Sequence, residues 1–293
     1  MASLKEIRGR LAGIASTRQI TNAMKMVSAA KLRKAQQAIV QMRPYAEQLH
    51  MILTHLSDAI KDEEDDPYGA KRELERILIV VVTSNRGLCG SFNSNILKQS
   101  IQVATEEYAS LFRQKSVDFY AIGKRADDFL KKRSYSLIGS KSELFDELSF
   151  EKVMPVAEQI MEQYTSKKYD KVILVYNQFK NAAVQLLATE QFLPVVMPEK
   201  DETDQLITDY IYEPSKEYII HELIPKSLKI QFYKALLESH AAEHGARMTA
   251  MHKATDNATE LLRELQLQYN KARQASITNE ILEIVSGAEA LRG

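Results

Sequence analysis

Apolar residues recur at intervals of three and four near the start of the chain: Leu4, Ile7, Leu11 and Ile14. The row resumes at Met24 and Val27, then continues through Ala35, Ala38, Met42, Tyr45, Leu49, Ile52 and Leu56. This is the spacing of a coiled-coil seam on a helix. The row is imperfect in the middle, where Arg18, Thr21 and Lys31 fall near the seam and the phase slips before Met24. Pro44 should kink that helix or end its first segment. At 1.5 Å per residue, about 55 residues of helix form a rod of roughly 80 Å. A second seam lies near the other end: Leu237, Ala241, His244, Met248, Met251, Thr255, Ala258, Leu262, Leu265, Tyr269 and Ala272. A separate apolar stripe follows, formed by Ile277, Ile281, Ile284, Val285, Ala288 and Leu291. One apolar face so close to a chain end points to something that encloses it.

The middle of the chain has a different rhythm. After an acidic turn from Asp62 to Gly69 comes Ile77-Leu-Ile-Val-Val-Val82, an apolar β-branched run that predicts a buried parallel strand. Further strands are expected at Val117–Ile122, Lys171–Tyr176 and Val184–Val196. Helices are expected at Asn93–Phe112, Lys124–Lys132 and Glu151–Ser166. Alternating strand and helix predicts a small Rossmann-like α/β domain. The fold class is therefore α/β with long terminal helices, in which the N- and C-terminal helices form an antiparallel two-helix coiled coil and the α/β domain is inserted between them. The expected organisation is a first coiled-coil helix over 1–60, a linker over 61–76 and the α/β domain over 77–200. A charged connector over 201–220 and a second coiled-coil helix over 221–293 complete it.

Charge changes this picture locally. The 293 residues carry no formal net charge, which argues against a general nucleic-acid binder. Residues 1–50 carry nine cations (Lys5, Arg8, Arg10, Arg18, Lys25, Lys31, Arg33, Lys34, Arg43) against Glu6 and Glu47. Such a run reads either as a solvated helix face or as a docking face for an acidic partner. The N-terminus is charged within five residues and lacks the apolar stretch of a secretory signal. No run of about 18 apolar residues is present to cross a bilayer, so membrane association is expected to go through partners. With one cysteine, Cys89, neither an internal disulfide nor a cysteine-rich metal site can form.

Three short motifs touch on chemistry. His240-Ala-Ala-Glu243-His244 matches the inverted zinc-protease pattern, but His244 is in register with the seam, and no bound metal is expected. Ser28-Ala-Ala-Lys31 lacks the companion motifs of serine acylases. Thr83-Ser-Asn-Arg-Gly-Leu-Cys-Gly-Ser91 sits between a strand and a helix, where an α/β fold binds phosphate. It lacks both the dinucleotide and the P-loop glycine patterns. No catalytic residue and no cofactor are assigned.

Several segments together resemble a known family. They are Ile20–Gln36 (ITNAMKMVSAAKLRKAQ), Thr83–Asn93 (TSNRGLCGSFN), Asp209–Ser215 (DYIYEPS), Ala246–Ala258 (ARMTAMHKATDNA) and Glu264–Glu280 (ELQLQYNKARQASITNE). On these the chain resembles the gamma subunit, the central rotor shaft, of bacterial rotary ATP synthase. The resemblance implies a non-catalytic subunit, one copy per complex, that couples proton flow to ATP synthesis by turning inside a ring of alpha and beta subunits. The implied partners are that hexameric ring, the epsilon subunit and the membrane c-ring, and no nucleic acid. The implied location is peripheral, on the cytoplasmic side of the bacterial inner membrane. The resemblance also implies that Met24, Lys25, Arg273, Gln274 and Thr278 face the catalytic ring. It places the apolar tip, Ile277, Ile281, Ile284 and Val285, in a bearing. The inserted cysteine pair of plastid members is absent, so thiol control is not expected.

Overall fold

The structure is a computed structural model that describes residues 3–61, 67–69, 72–195 and 216–291. Asp62–Asp66 of the acidic turn, the Asp209–Ser215 motif, most of the 201–220 connector and Val196 lie outside the described residues, as does the side chain of Leu56. In chain order the elements begin with α1 (Leu4–Lys61), β1 (Ile77–Val82) and α2 (Phe92–Gln102). A π-helical turn (Val103–Glu107), α3 (Ala109–Arg113), β2 (Val117–Ile122), α4 (Lys124–Lys132) and β3 (Leu137–Lys141) follow. Then come a 3₁₀ turn (Glu143–Phe145), α5 (Phe150–Thr165), β4 (Lys171–Phe179), β5 (Gln185–Leu193) and α6 (Lys216–Ala290). The chain divides into two compact units, one of residues 1–28 and 248–293, the other of residues 29–247.

The first unit pairs the opening turns of α1 with the second half of α6. The Thr21 and Thr255 hydroxyls meet at 2.9 Å, and Arg8 donates to the Tyr269 hydroxyl at 3.0 Å. A lower number on one helix thus meets a higher number on the other, so the pair is antiparallel. On α6 the covered positions include Met248, Met251, Thr255, Ala258, Leu262, Leu265, Tyr269 and Ala272, as the spacing predicts, with Thr249, Ala250, Ala254 and Ser276 also half-buried.

The row on α1 differs from expectation in its middle. Val27, Tyr45 and Ile52 are exposed. Thr21, Ser28, Leu32, Ala46 and Leu53 are covered in their place. The row is interrupted where residues 16–20 are all exposed, but from Thr21 onward it keeps its three-and-four spacing, with polar residues at Thr21 and Ser28. A hydroxyl fits there because it is satisfied locally: Ser28 donates to the Met24 carbonyl at 2.7 Å, and Thr21 to that of Arg18 at 3.1 Å. Pro44 ends nothing, for α1 runs on to Lys61.

The second unit is built on a five-stranded sheet in the order β3-β2-β1-β4-β5. β1 pairs in parallel with β2 and with β4, β2 pairs in parallel with β3, and β5 is antiparallel to β4. All six residues of β1 are buried, because both faces of the central strand are covered. Leu78, Val80 and Val82 join one core with α5, Leu49 and Leu53 of α1, and Ile224, Leu228 and Phe232 of α6. Ile77, Ile79 and Val81 join the other core, with α2, α4 and Ala242 and Ala246 of α6.

Two features of this unit were not read from sequence. β3 is a short edge strand whose Leu-Ile-Gly-Ser-Lys residues are all half-buried. The single helix expected over Asn93–Phe112 is broken by the π turn into α2 and α3.

Candidate functional site

The Thr83–Ser91 loop leaves the carboxyl end of β1, the position at which open parallel sheets bind ligands. Here the chain's own side chains occupy the groups a phosphate would use. The first four N–H groups of α4 all have partners. Lys124 N donates to Asn85 Oδ1 at 3.0 Å, and Ala126 N to Thr83 Oγ1 at 2.8 Å. Arg125 N and Asp127 N donate to the carbonyls of Ser84 and Gly123. At the start of α2, Asn93 accepts from Ser84 N at 2.9 Å, and its amide donates to Ser84 Oγ at 2.8 Å and Cys89 Sγ at 3.1 Å. Gly123, at φ +97, allows the close approach of α4, since a Cβ there would lie 2.1 Å from the Thr83 carbonyl oxygen. Cys89 is buried, and its thiol is pushed up by that burial, which makes it a packed thiol rather than a nucleophile.

Across the loop lies a run of polar side chains buried on α6. Arg247 donates to the carbonyls of Gly87 and, at 3.2 Å, Arg86, and to Glu243 Oε1 at 2.6 Å. Glu243, the acid of the zinc-protease pattern, is thus committed to Arg247. Burial still holds its carboxyl above the usual range, against the opposing pull of Arg247. His240 and His244 meet Nε2 to Nε2 at 3.1 Å, and Phe145 stacks on His240 at 5.8 Å. Both imidazoles are pushed well below their ordinary range, first by burial, then by Lys31 and Lys34 for His240 and by His240, Lys31 and Arg247 for His244. Among the described residues no three His, Cys, Asp or Glu side chains are grouped to hold a metal.

The residues expected to face partners lie in the first unit. Met24 and Lys25 are half-buried on α1, while Arg273, Gln274 and Thr278 are exposed on α6. The structure does not bring the two sets together. Thr21 lies against Thr255, so Met24 and Lys25 lie at the level of the residues just before Thr255. Arg273 is some 20 residues further along, roughly 30 Å at 1.5 Å per residue. Continuing the antiparallel pairing from Arg8 and Tyr269, Leu4 comes level with Arg273. The α6 residues after 276 are all exposed. Ile277 (48%), Ile281 (55%), Ile284 (71%) and Val285 (49%) therefore form an apolar face that nothing covers among the described residues.

A family model described as ATP synthase matches residues 3–291. The ATP synthase gamma chain of Christiangramia forsetii is 55% identical over 293 residues, covering 100% of both chains. That of Flavobacterium johnsoniae is 57% identical over the same full span. The chain belongs to the ATP synthase gamma chain family. As a gamma chain it is a non-catalytic subunit of a membrane-associated complex. Among the described residues no helix is long and apolar enough to cross a membrane. The fold also matches a chain of the Euglena gracilis mitochondrial ATP synthase (OSCP/F1/c-ring, rotational state 3), with TM-score 0.67 at 23% identity, covering 98% of this chain and 94% of that one. A chain of the Tetrahymena thermophila mitochondrial ATP synthase central stalk and c-ring gives TM-score 0.59 at 25% identity, covering 80% and 99%.

Proposed function

We propose that this gamma chain is the central shaft of a rotary ATP synthase on the cytoplasmic side of a bacterial inner membrane, one copy per complex. Its helical part, 1–60 and 221–293, turns inside the hexameric alpha/beta ring, and its α/β domain, 77–200, meets the epsilon subunit and the c-ring. The observation that carries this reading is the uncovered apolar face from Ile277 to Val285, which in water needs an enclosing apolar sleeve. Met24, Lys25, Arg273, Gln274 and Thr278 are the side chains proposed to meet the ring, at two separate levels of the shaft.

The chemistry of such a subunit is mechanical. A rotor biases a catalytic site only through contacts that differ between its orientations, so an asymmetric surface converts rotation into successive stabilisation of different site conformations. Proton flow then drives synthesis of ATP from ADP and phosphate on other subunits. Isolation of the tagged chain from its native membrane tests the assignment. The alpha, beta, epsilon and c subunits should accompany it in fixed ratio with one gamma chain. Recovery of the chain alone, or with an unrelated set of proteins, would contradict it.

A further inference from the structure

Four connections enter the parallel strands at the amino end of the sheet, opposite the Thr83–Ser91 loop. In the order of the sheet they are 131–136 before β3, 113–116 before β2, 72–76 before β1 and 166–170 before β4. Neighbouring connections are joined edge to edge: Phe119 N donates to the Ser136 carbonyl at 2.7 Å, Ile77 N to that of Ser116 at 3.0 Å, and Asp170 N to that of Arg76 at 2.9 Å. The row therefore spans three strand spacings, about 14 Å. Arg113, Lys115, Lys132, Arg133, Lys167 and Lys168 are all exposed on it. None of the six forms an ion pair among the described residues, whereas Arg76 and Lys131 are held by Asp118 and Asp127. Against them stand two exposed carboxylates, Glu73 and Glu75. Asp170 is half-buried and accepts from the Glu75 and Arg76 N–H groups.

Helices α3, α4 and α5 all end here, and a cation in a last turn complements the helix dipole. That accounts for one cation per helix, and each helix end carries two or more. It does not account for Lys115 and Lys167, which close their helices at φ 58 and φ 60, a left-handed conformation that suits glycine. At both positions the charge is kept where a less strained residue would serve. Leu74 is the one exposed large apolar side chain in these connections. A protein partner is usually met by an apolar or aromatic centre. A row of cations on long, flexible stems suits a surface of diffuse negative charge instead. Gamma chains belong to a membrane-associated complex, so a bilayer surface is at hand. We infer that this end of the α/β domain docks on anionic phospholipid headgroups through these six cations. The contact is independent of whether the helices turn inside a ring.

The test is co-sedimentation of the full-length chain with vesicles of phosphatidylcholine alone and of an equimolar mixture with phosphatidylglycerol. The chain should bind the anionic vesicles at least about tenfold more tightly, and high salt should remove the difference. Lys115→Gln, Arg133→Gln, Lys167→Gln and Lys168→Gln together should reduce that preference at least about fivefold. Replacing four exposed cations of the first unit with glutamine instead, Lys5, Arg18, Lys253 and Lys271, should leave it within about twofold. In the wild-type chain, Lys115, Lys132, Lys167 and Lys168 should be shielded from acylation when anionic vesicles are present, and this mapping decides the matter should the variant fail to fold. Equal binding to the two kinds of vesicle, equal losses from the two fourfold variants, or acylation unchanged by anionic vesicles would overturn the inference.

Discussion

Arg247 holds three acceptors at once, two backbone carbonyls of the β1 loop and the carboxylate of Glu243, with about nine-tenths of both side chains buried. Removing one partner of a buried pair costs more than the pair itself contributes, because the other charge is left stranded. Arg247→Ala should destabilise the chain by about 3–5 kcal/mol in chemical denaturation at neutral pH. Glu243, already held above the usual carboxylate range, would then take up a proton readily. The cost should therefore shrink as the pH is lowered. A cost below about 1 kcal/mol, the worth of an exposed pair, would show that Arg247 is not the clamp described here. None of this was legible in the sequence. The loop stood out as a strand-to-helix turn, but nothing in the spacing announces that Thr83 and Asn85 cap α4, or that an arginine about 160 positions away closes the loop. Such contacts depend on tertiary placement, which local patterns do not encode.

Secondary elements were more legible where one periodicity ran unbroken. The α6 seam was read position by position, because from Met248 to Ala272 its covered face is almost wholly apolar or small. The α1 seam was misread at Val27 because it passes through Ser28, whose hydroxyl bonds within its own helix and so can sit inside, and at Tyr45 and Ile52 because the covered positions are their apolar neighbours Ala46 and Leu53. Strand β3 escaped notice because an edge strand with Gly139 at its centre carries neither an apolar run nor clear alternation. Burial of part of α6 also has a pH signature. His240 and His244 are held below their ordinary range in the folded state, which therefore binds fewer protons than the unfolded chain. Their contribution is full above the unfolded value of about 6.5 and is lost as the pH falls below it. Glu238 and Glu243, raised by burial, shift in the opposite sense, so the comparison must be with a variant. Between pH 7 and pH 5 the wild type should lose more unfolding free energy than the His240→Gln/His244→Gln double variant. Parallel pH profiles would mean that the pair is not neutral and buried in solution.

At the scale of the whole molecule, the nine-to-two charge bias of residues 1–50 on a neutral chain is either a solvated face or a docking face for an acidic partner, and the two readings predict different coupling. An exposed ion pair is worth about 0.2–1 kcal/mol, so one reversal should alter assembly little. A pair made in only one rotor orientation still biases one state over another. Reversing Lys25, Arg33 and Lys34 together should lower ATP-driven proton pumping in reconstituted vesicles more than it lowers hydrolysis. High salt should blunt the difference, since exposed charges are screened beyond about 8–10 Å at physiological ionic strength. An unchanged ratio of pumping to hydrolysis in low salt would leave the basic run as a solvated surface.

The central claim is that this subunit turns and does no chemistry. Lys132 is exposed at the end of α4 and Cys89 is buried, so a cysteine placed at 132 can carry a probe selectively. Rotation of that probe on single surface-held complexes, during ATP hydrolysis, is the most direct measurement. The account predicts stepwise turning in one direction that stops when ATP is withdrawn. Sustained hydrolysis with the probe stationary would contradict it.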